Sequence, residues 1–238
     1  MDGTETEAII QKRETWLIPG AIIAAGLLLA IAVYTIRAQE LTLPPEGDVS
    51  LVRPITEADH LIGSPEASVV IIEYADIDSS YAKDFQQTMM QLMTEYGPSG
   101  EVAWVYRHLP LIDRHPNARL HAEASECVAS LGGPNSFWRF IDAAHARAPG
   151  SQELNPRDYP AIVEQMGIRT EAFESCLNEN TYAARVVDDF ENGINAGAGG
   201  SPFSVVLIRG TAPITIDGAV PYESMKRIVE ESLAKAER

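Results

Sequence analysis

Glu73-Tyr74-Ala75-Asp76-Ile77-Asp78-Ser79-Ser80-Tyr81-Ala82-Lys83-Asp84-Phe85 carries an apolar strand through a polar turn into a helix. Upstream, Val69-Val70-Ile71-Ile72 is a continuous β-branched run of the kind a strand covered on both faces requires. Downstream, Phe85, Met89, Leu92, Met93 and Tyr96 recur at helical spacing, so one face of a helix beginning near Ser79 packs back onto that strand. Such a junction leaves the first N–H groups of the helix without intrahelical partners, and chemistry is expected there.

Several further motifs occur in order around this junction. They are Asp59-His60-Leu61-Ile62-Gly63-Ser64-Pro65-Glu66-Ala67 before the strand, then Val105-Tyr106-Arg107-His108-Leu109-Pro110-Leu111 and His115-Pro116-Asn117-Ala118. Ala122 to Cys127, Phe137-Trp138 and Gly199-Gly200-Ser201-Pro202-Phe203 follow. Together they resemble the DsbA-like thiol–disulfide oxidoreductases of the thioredoxin fold, over roughly residues 55 to 236. The resemblance implies an α/β thioredoxin-like fold with an all-helical insertion at about 117–177. It also implies a cis peptide bond at Ser201-Pro202, in a loop that pairs with extended peptide substrates.

The family carries Cys-x-x-Cys at the start of this helix, and here the four positions are Ser79-Ser80-Tyr81-Ala82. Exchange needs an attacking thiolate and a resolving thiol, and neither a hydroxyl nor a methyl group replaces them. No catalytic residue is therefore expected. By the same resemblance, Ser79, Tyr81, Ser201 and Pro202 are the candidate peptide-binding residues. Ser79 has a second reading, because kappa-class glutathione transferases, related in fold, use a serine at the equivalent junction. Asp76 and Asp78 disfavour a thiolate ligand there, and a simple helix cap accounts for Ser79 or Asp78 equally well.

The chain has 238 residues, 45% of them hydrophobic, enough for one medium-sized domain with appendages. With 34 acidic and 18 basic side chains its formal charge is −16, which repels phosphate backbones and argues against nucleic-acid binding. Between Trp16 and Tyr34 no residue is charged, and the span suits a helix crossing a hydrocarbon layer of roughly 30 Å. It reads as a transmembrane anchor over 16–36 in preference to a cleaved signal peptide, after a short cytoplasmic stretch over 1–15. Lys12 and Arg13 before it against Arg37 after it place the folded part outside the cytoplasm, at a bacterial inner membrane. Residues 37–54, with Pro44, Pro45 and Pro54, read as a tether, and 55–238 as the domain.

Within the domain, strands are expected at Val102 to His108, Phe203 to Ile208 and Pro213 to Ile216. Helices are expected at Asn117 to Leu131, Ser136 to Ala146, Pro160 to Met166, Thr170 to Leu177, Thr181 to Ala196 and Tyr222 to Lys235, with Gly132-Gly133-Pro134-Asn135 as a break. The separation of the two cysteines, Cys127 and Cys176, excludes a Cys-x-x-Cys redox motif and a compact zinc knuckle. Some members of the resembled family bridge the helical insertion, and an oxidising compartment favours a structural disulfide between them. Two separate buried thiols and a regulatory redox pair are the alternatives.

The histidines at 60, 108, 115, 121 and 145 match no familiar ligand spacing, so no metal and no cofactor is expected. Arg107, His108 and Arg114 read as loop-rim residues. These features favour a membrane-anchored, non-catalytic peptide-binding or chaperone-like module acting on extended segments of extracytoplasmic proteins. A thiol-dependent enzyme using Ser79 and a structural subunit of a membrane assembly are the alternatives.

Overall fold

The structure is a computed structural model that describes residues 25–32 and 47–236. The chain forms two compact units, Met1–Glu46 and Gly47–Arg238. In the first, residues 25–32 are helical and exposed. Among the described residues no helix is long and apolar enough to cross a membrane. Most of the expected span Trp16–Tyr34 and the first part of the tether lie outside the described residues.

In the second unit, strands β1 (His60–Gly63), β2 (Val69–Ala75), β3 (Val102–His108), β4 (Phe203–Ile208) and β5 (Ile214–Asp217) form one sheet in the order β1-β3-β2-β4-β5. β2 and β3 are parallel, with Ile71 opposite Trp104 and Glu73 opposite Tyr106. The pairs β1/β3, β2/β4 and β4/β5 are antiparallel. Helix α1 (Ser80–Tyr96) is the crossover between the parallel strands, the connection such a pair demands. An insertion of four helices follows β3: α2 (Ala118–Gly132), α3 (Pro134–Arg147), α4 (Tyr159–Gln165) and α5 (Thr170–Asn178). Then α6 (Ala183–Ala196) leads to the β4–β5 hairpin, and α7 (Tyr222–Ala236) closes the fold.

Every residue of β2 and β3 is buried, which explains their unbroken apolar runs. Val69, Ile71 and Ala75 face the core built with Phe85, Met89 and Leu92 of α1, Met225 and Val229 of α7, and the insertion. Val70, Ile72 and Tyr74 face the opposite core, with Phe190 and Ala196 of α6. There α6 lies so close to β2 that a Cβ at Gly193 would come within 2.8 Å of the Tyr74 ring.

Sequence periodicity locates most elements within two residues, and the differences have local causes. Pro134 and Asn135 open α3 rather than breaking the chain, because proline at the first helical position removes an N–H that has no partner anyway. Sequence pattern does not predict β1, since four residues containing a histidine and a glycine show no alternation. Gly63 ends it at φ +104°, where a Cβ would meet the Val102 carbonyl oxygen at 2.6 Å. Residues 47–54, read as tether, pack on the domain: Asp48 N donates to Asn195 O at 2.9 Å, and Asn192 Nδ2 donates to Leu51 O at 2.7 Å. Arg107 and His108 are not rim residues, being 0% and 1% exposed.

Cys127 of α2 and Cys176 of α5 are joined in a disulfide across 49 residues, with Cα atoms 5.9 Å apart. In the chain-entropy view, closing a loop of that length in the unfolded chain stabilises the fold by about 4 kcal/mol. Reduction with dithiothreitol, or the double change Cys127→Ala and Cys176→Ala, is expected to lower the urea midpoint accordingly. An unchanged midpoint would show that the bridge contributes nothing.

Candidate functional site

At the C-terminal end of β2 the chain turns through Asp76, Ile77 and Asp78 into the cap of α1. Ser79 is that cap, in extended geometry, and its Oγ accepts from Ala82 N at 3.4 Å. The same hydroxyl donates to Ser201 O at 3.1 Å, while Ser201 Oγ accepts from Asp76 N at 2.8 Å. Two hydrogen bonds thus clamp the loop before β4 onto the junction. The Ser201–Pro202 bond is cis, as the resemblance implies.

Asp76 is 1% exposed and fully engaged. Its Oδ1 accepts from Asp78 N at 2.9 Å, and its Oδ2 accepts from Leu111 N at 2.8 Å and contacts His115 Nδ1 at 2.9 Å. Asp78 accepts from Leu154 N at 2.8 Å and faces His121 Nε2 at 3.1 Å. Burial pushes the Asp78 carboxyl up, but the His121 contact and the Leu154 N–H outweigh it and hold the group below its ordinary value. Lys83, also buried, donates to Ala148 O at 2.7 Å and ties α1 to the end of α3.

Of the candidate peptide-binding residues, Ser79, Ser201 and Pro202 come together. Ser201 and Pro202 line a cavity of about 320 Å³ with Arg114, Gly199, Gly200, Asp217 and Gly218. Tyr81 does not line it; its ring stands 68% exposed on the first turn of α1. Ser80 is half-buried and Ala82 is packed inside. Both cysteines are in the insertion disulfide, so the junction has no thiol.

A thioredoxin family model matches residues 55–231. This chain belongs to the thioredoxin family. Its fold is the DsbA-like variant, with solved relatives at low identity. Wolbachia pipientis alpha-DsbA1 superposes with a TM-score of 0.67 at 19% identity, covering 79% of this chain and 97% of that one. Pseudomonas aeruginosa DsbA2 gives 0.62 at 24% identity, covering 74% and 95%. BdbD from Bacillus subtilis gives 0.66 at 19%, covering 79% and 99%.

In sequence, this DsbA-like chain is also similar to parts of much longer proteins. The Na(+)/H(+) antiporter NhaA 3 of Salinispora tropica is 32% identical over 167 residues, which is 70% of this chain and 24% of the antiporter. The Na(+)/H(+) antiporter NhaA 1 of Mycobacterium sp. strain KMS is 32% identical over 177 residues, 73% and 28% respectively. The chain thus spans about a quarter of the length of these curated relatives.

Two features of this thioredoxin domain escaped the sequence reading. One is a convergence of His60, His108 and Glu126 from β1, β3 and α2, residues whose separation along the chain hides their contact. The other is Glu73, 1% exposed in the middle of β2, whose Oε2 accepts from Trp104 Nε1 at 2.9 Å. Burial pushes its pKa up to about 8, with the Trp104 hydrogen bond pulling the other way. An acid within a β-branched strand was the available signal.

Glu73 sets a pH dependence. The unfolded chain releases this proton near the ordinary value of 4.5, the folded chain only near 8. Its contribution to stability is fully present below the lower value and is lost as pH rises to the upper one, by at most about 1.4 kcal/mol per pH unit. Glu73→Gln is expected to gain stability relative to the natural protein as pH rises from about 5 to about 8. Parallel urea curves across that range would exclude the effect.

Proposed function

We propose that this chain is a membrane-anchored, extracytoplasmic DsbA-like module that has given up disulfide exchange and docks extended segments of partner proteins. Docking takes place at the Ser201–Pro202 loop, with Ser79 and Tyr81 beside it. One observation carries this reading. Ser79 stands at the cap of α1 with its hydroxyl on the Ser201 carbonyl, and both cysteines are committed to the Cys127–Cys176 bridge. The scaffold around the junction is intact while the chemistry of exchange is absent. Tyr81 adds an exposed aromatic ring of the kind that contributes strongly to protein contacts.

The glutathione-type alternative is weaker, because the Ser79 proton that a thiolate would need is donated to Ser201 O. A second reading, as a companion domain of a cation–proton antiporter at a bacterial inner membrane, is favoured by the relatives named as Na(+)/H(+) antiporters. An antiporter works in a membrane, which accords with the apolar span from Trp16 to Tyr34.

The test compares the natural full-length chain in detergent with a variant carrying Ser79→Cys, Ser80→Pro and Ala82→Cys. Insulin reduction and oxidation of a model dithiol peptide are the readouts. The natural chain is expected to be inert and the variant active. Oxidation by the natural chain through its own cysteines would overturn the proposal. Inertness of both would show that the groove itself has been remodelled and would move the companion-domain reading ahead.

A further inference from the structure

We infer that His60, His108 and Glu126 form a binding site for one divalent transition-metal ion of the zinc class, held between β1, β3 and α2. The inference stands apart from the docking reading. His60 Nε2 lies 2.8 Å and His108 Nε2 3.0 Å from the same oxygen, Glu126 Oε1, and the three ligand atoms all fall within 4.8 Å of one another. The residues are 9%, 1% and 3% exposed. Two imidazole nitrogens and one carboxylate oxygen are the protein ligands of zinc sites that keep a further position open.

The rings are oriented by packing. His60 stacks on Phe137 with centroids 3.5 Å apart and planes 8° from parallel, and His108 meets the same ring edge-on at 5.9 Å. An ion would therefore find the ligands already aimed, which reduces the ordering cost of binding.

Both Nε2 atoms are hydrogen-bonded to Glu126 Oε1, and His108 Nε2 also lies 3.4 Å from Ser125 Oγ. His108 Nδ1 is buried without a hydrogen-bond partner among the described residues. Arg185 Nε also approaches Glu126 Oε1, at 2.9 Å, yet its alignment gives no hydrogen bond. Three nitrogens thus crowd one carboxylate oxygen. The Arg185 side chain is 20% exposed, unlike the three ligands, so the guanidinium can withdraw toward water. It occupies the place of a positive charge beside Glu126, and a metal ion competes with it directly. Each histidine would carry its proton on Nδ1 and offer the Nε2 lone pair, and Glu126 would ligate as the carboxylate. His60 also lines a cleft of about 910 Å³ with Thr56, Leu61, Pro134 and Trp138.

The test uses the full-length chain, stripped with chelator and titrated with Zn²⁺ or Co²⁺ by calorimetry, with bound metal counted by atomic emission. One equivalent is expected, with a rise in melting temperature and visible Co²⁺ absorption. His60→Gln and His108→Gln are each expected to weaken binding by roughly a hundredfold or more, the upper end of what loss of an outer partner alone costs. Arg185→Gln, at a partly exposed position where folding is least at risk, is expected to bind several-fold more tightly by removing the competing charge. Absence of stoichiometric binding in both the natural chain and Arg185→Gln would overturn the site. So would binding that persists unchanged in folded His60→Gln and His108→Gln, which would assign the metal to surface carboxylates.

Discussion

β2 is covered on both faces, and the residue that follows its last position, Asp76, is a carboxylate only 1% exposed. Asp76 must therefore find its partners inside the protein, since an unpaired buried charge costs several kcal/mol. It does so by drawing in Asp78 N, Leu111 N and the His115 ring, while its own N–H goes to Ser201 Oγ. The turn into α1, the loop after β3 and the loop before β4 are thus held by one residue. The geometry of the junction follows from satisfying Asp76, and Ser79 adds the last clamp through the Ser201 carbonyl.

The same demand shapes the neighbouring strand at the same end of the parallel pair, where Tyr74 stands opposite Arg107. Arg107, fully buried at the end of β3, donates from Nε to Asp59 Oδ1 at 2.8 Å and from Nη1 to Asn192 Oδ1 at 3.0 Å. It reaches the backbone at Arg53 O and Pro54 O as well. Arg53 pairs with Asp189 of α6, whose other oxygen accepts from His108 N at 3.1 Å. The strongly acidic chain thus uses two of its arginines to bind the segment before β1 and α6 to the sheet. Removing one partner of such a pair is costlier than never having built it, so this network acts as a constraint on register and docking.

At positions 79 and 82, where the resembled family carries cysteines, this chain has Ser79 and Ala82. The groups that shape the junction are the Asp76 carboxylate, backbone N–H groups, the His115 ring and the Ser79 and Ser201 hydroxyls. The disulfide joins α2 to α5 within the insertion, where it restricts the unfolded chain. The His60–His108–Glu126 cluster is a further place where polar groups converge inside the fold.

The sequence by itself determined the strands β2, β3 and β4, the helices of the insertion and the family resemblance. Continuous β-branched runs and helical spacing are local signals, and the missing Cys-x-x-Cys is legible by inspection. The cysteine pairing came from the resemblance and the compartment, and the cis bond from the resemblance alone. Tertiary structure decided the rest. β1 owes its existence to pairing with β3, because His60–Gly63 has no alternation of its own. Arg107 and His108 look like rim residues in sequence, yet β3 carries them into the interior, where Asp59, Glu126 and Asn192 arrive from distant positions. The physical reason is that desolvation of a charge depends on what packs over it, and that is set by chain topology rather than by neighbours in sequence.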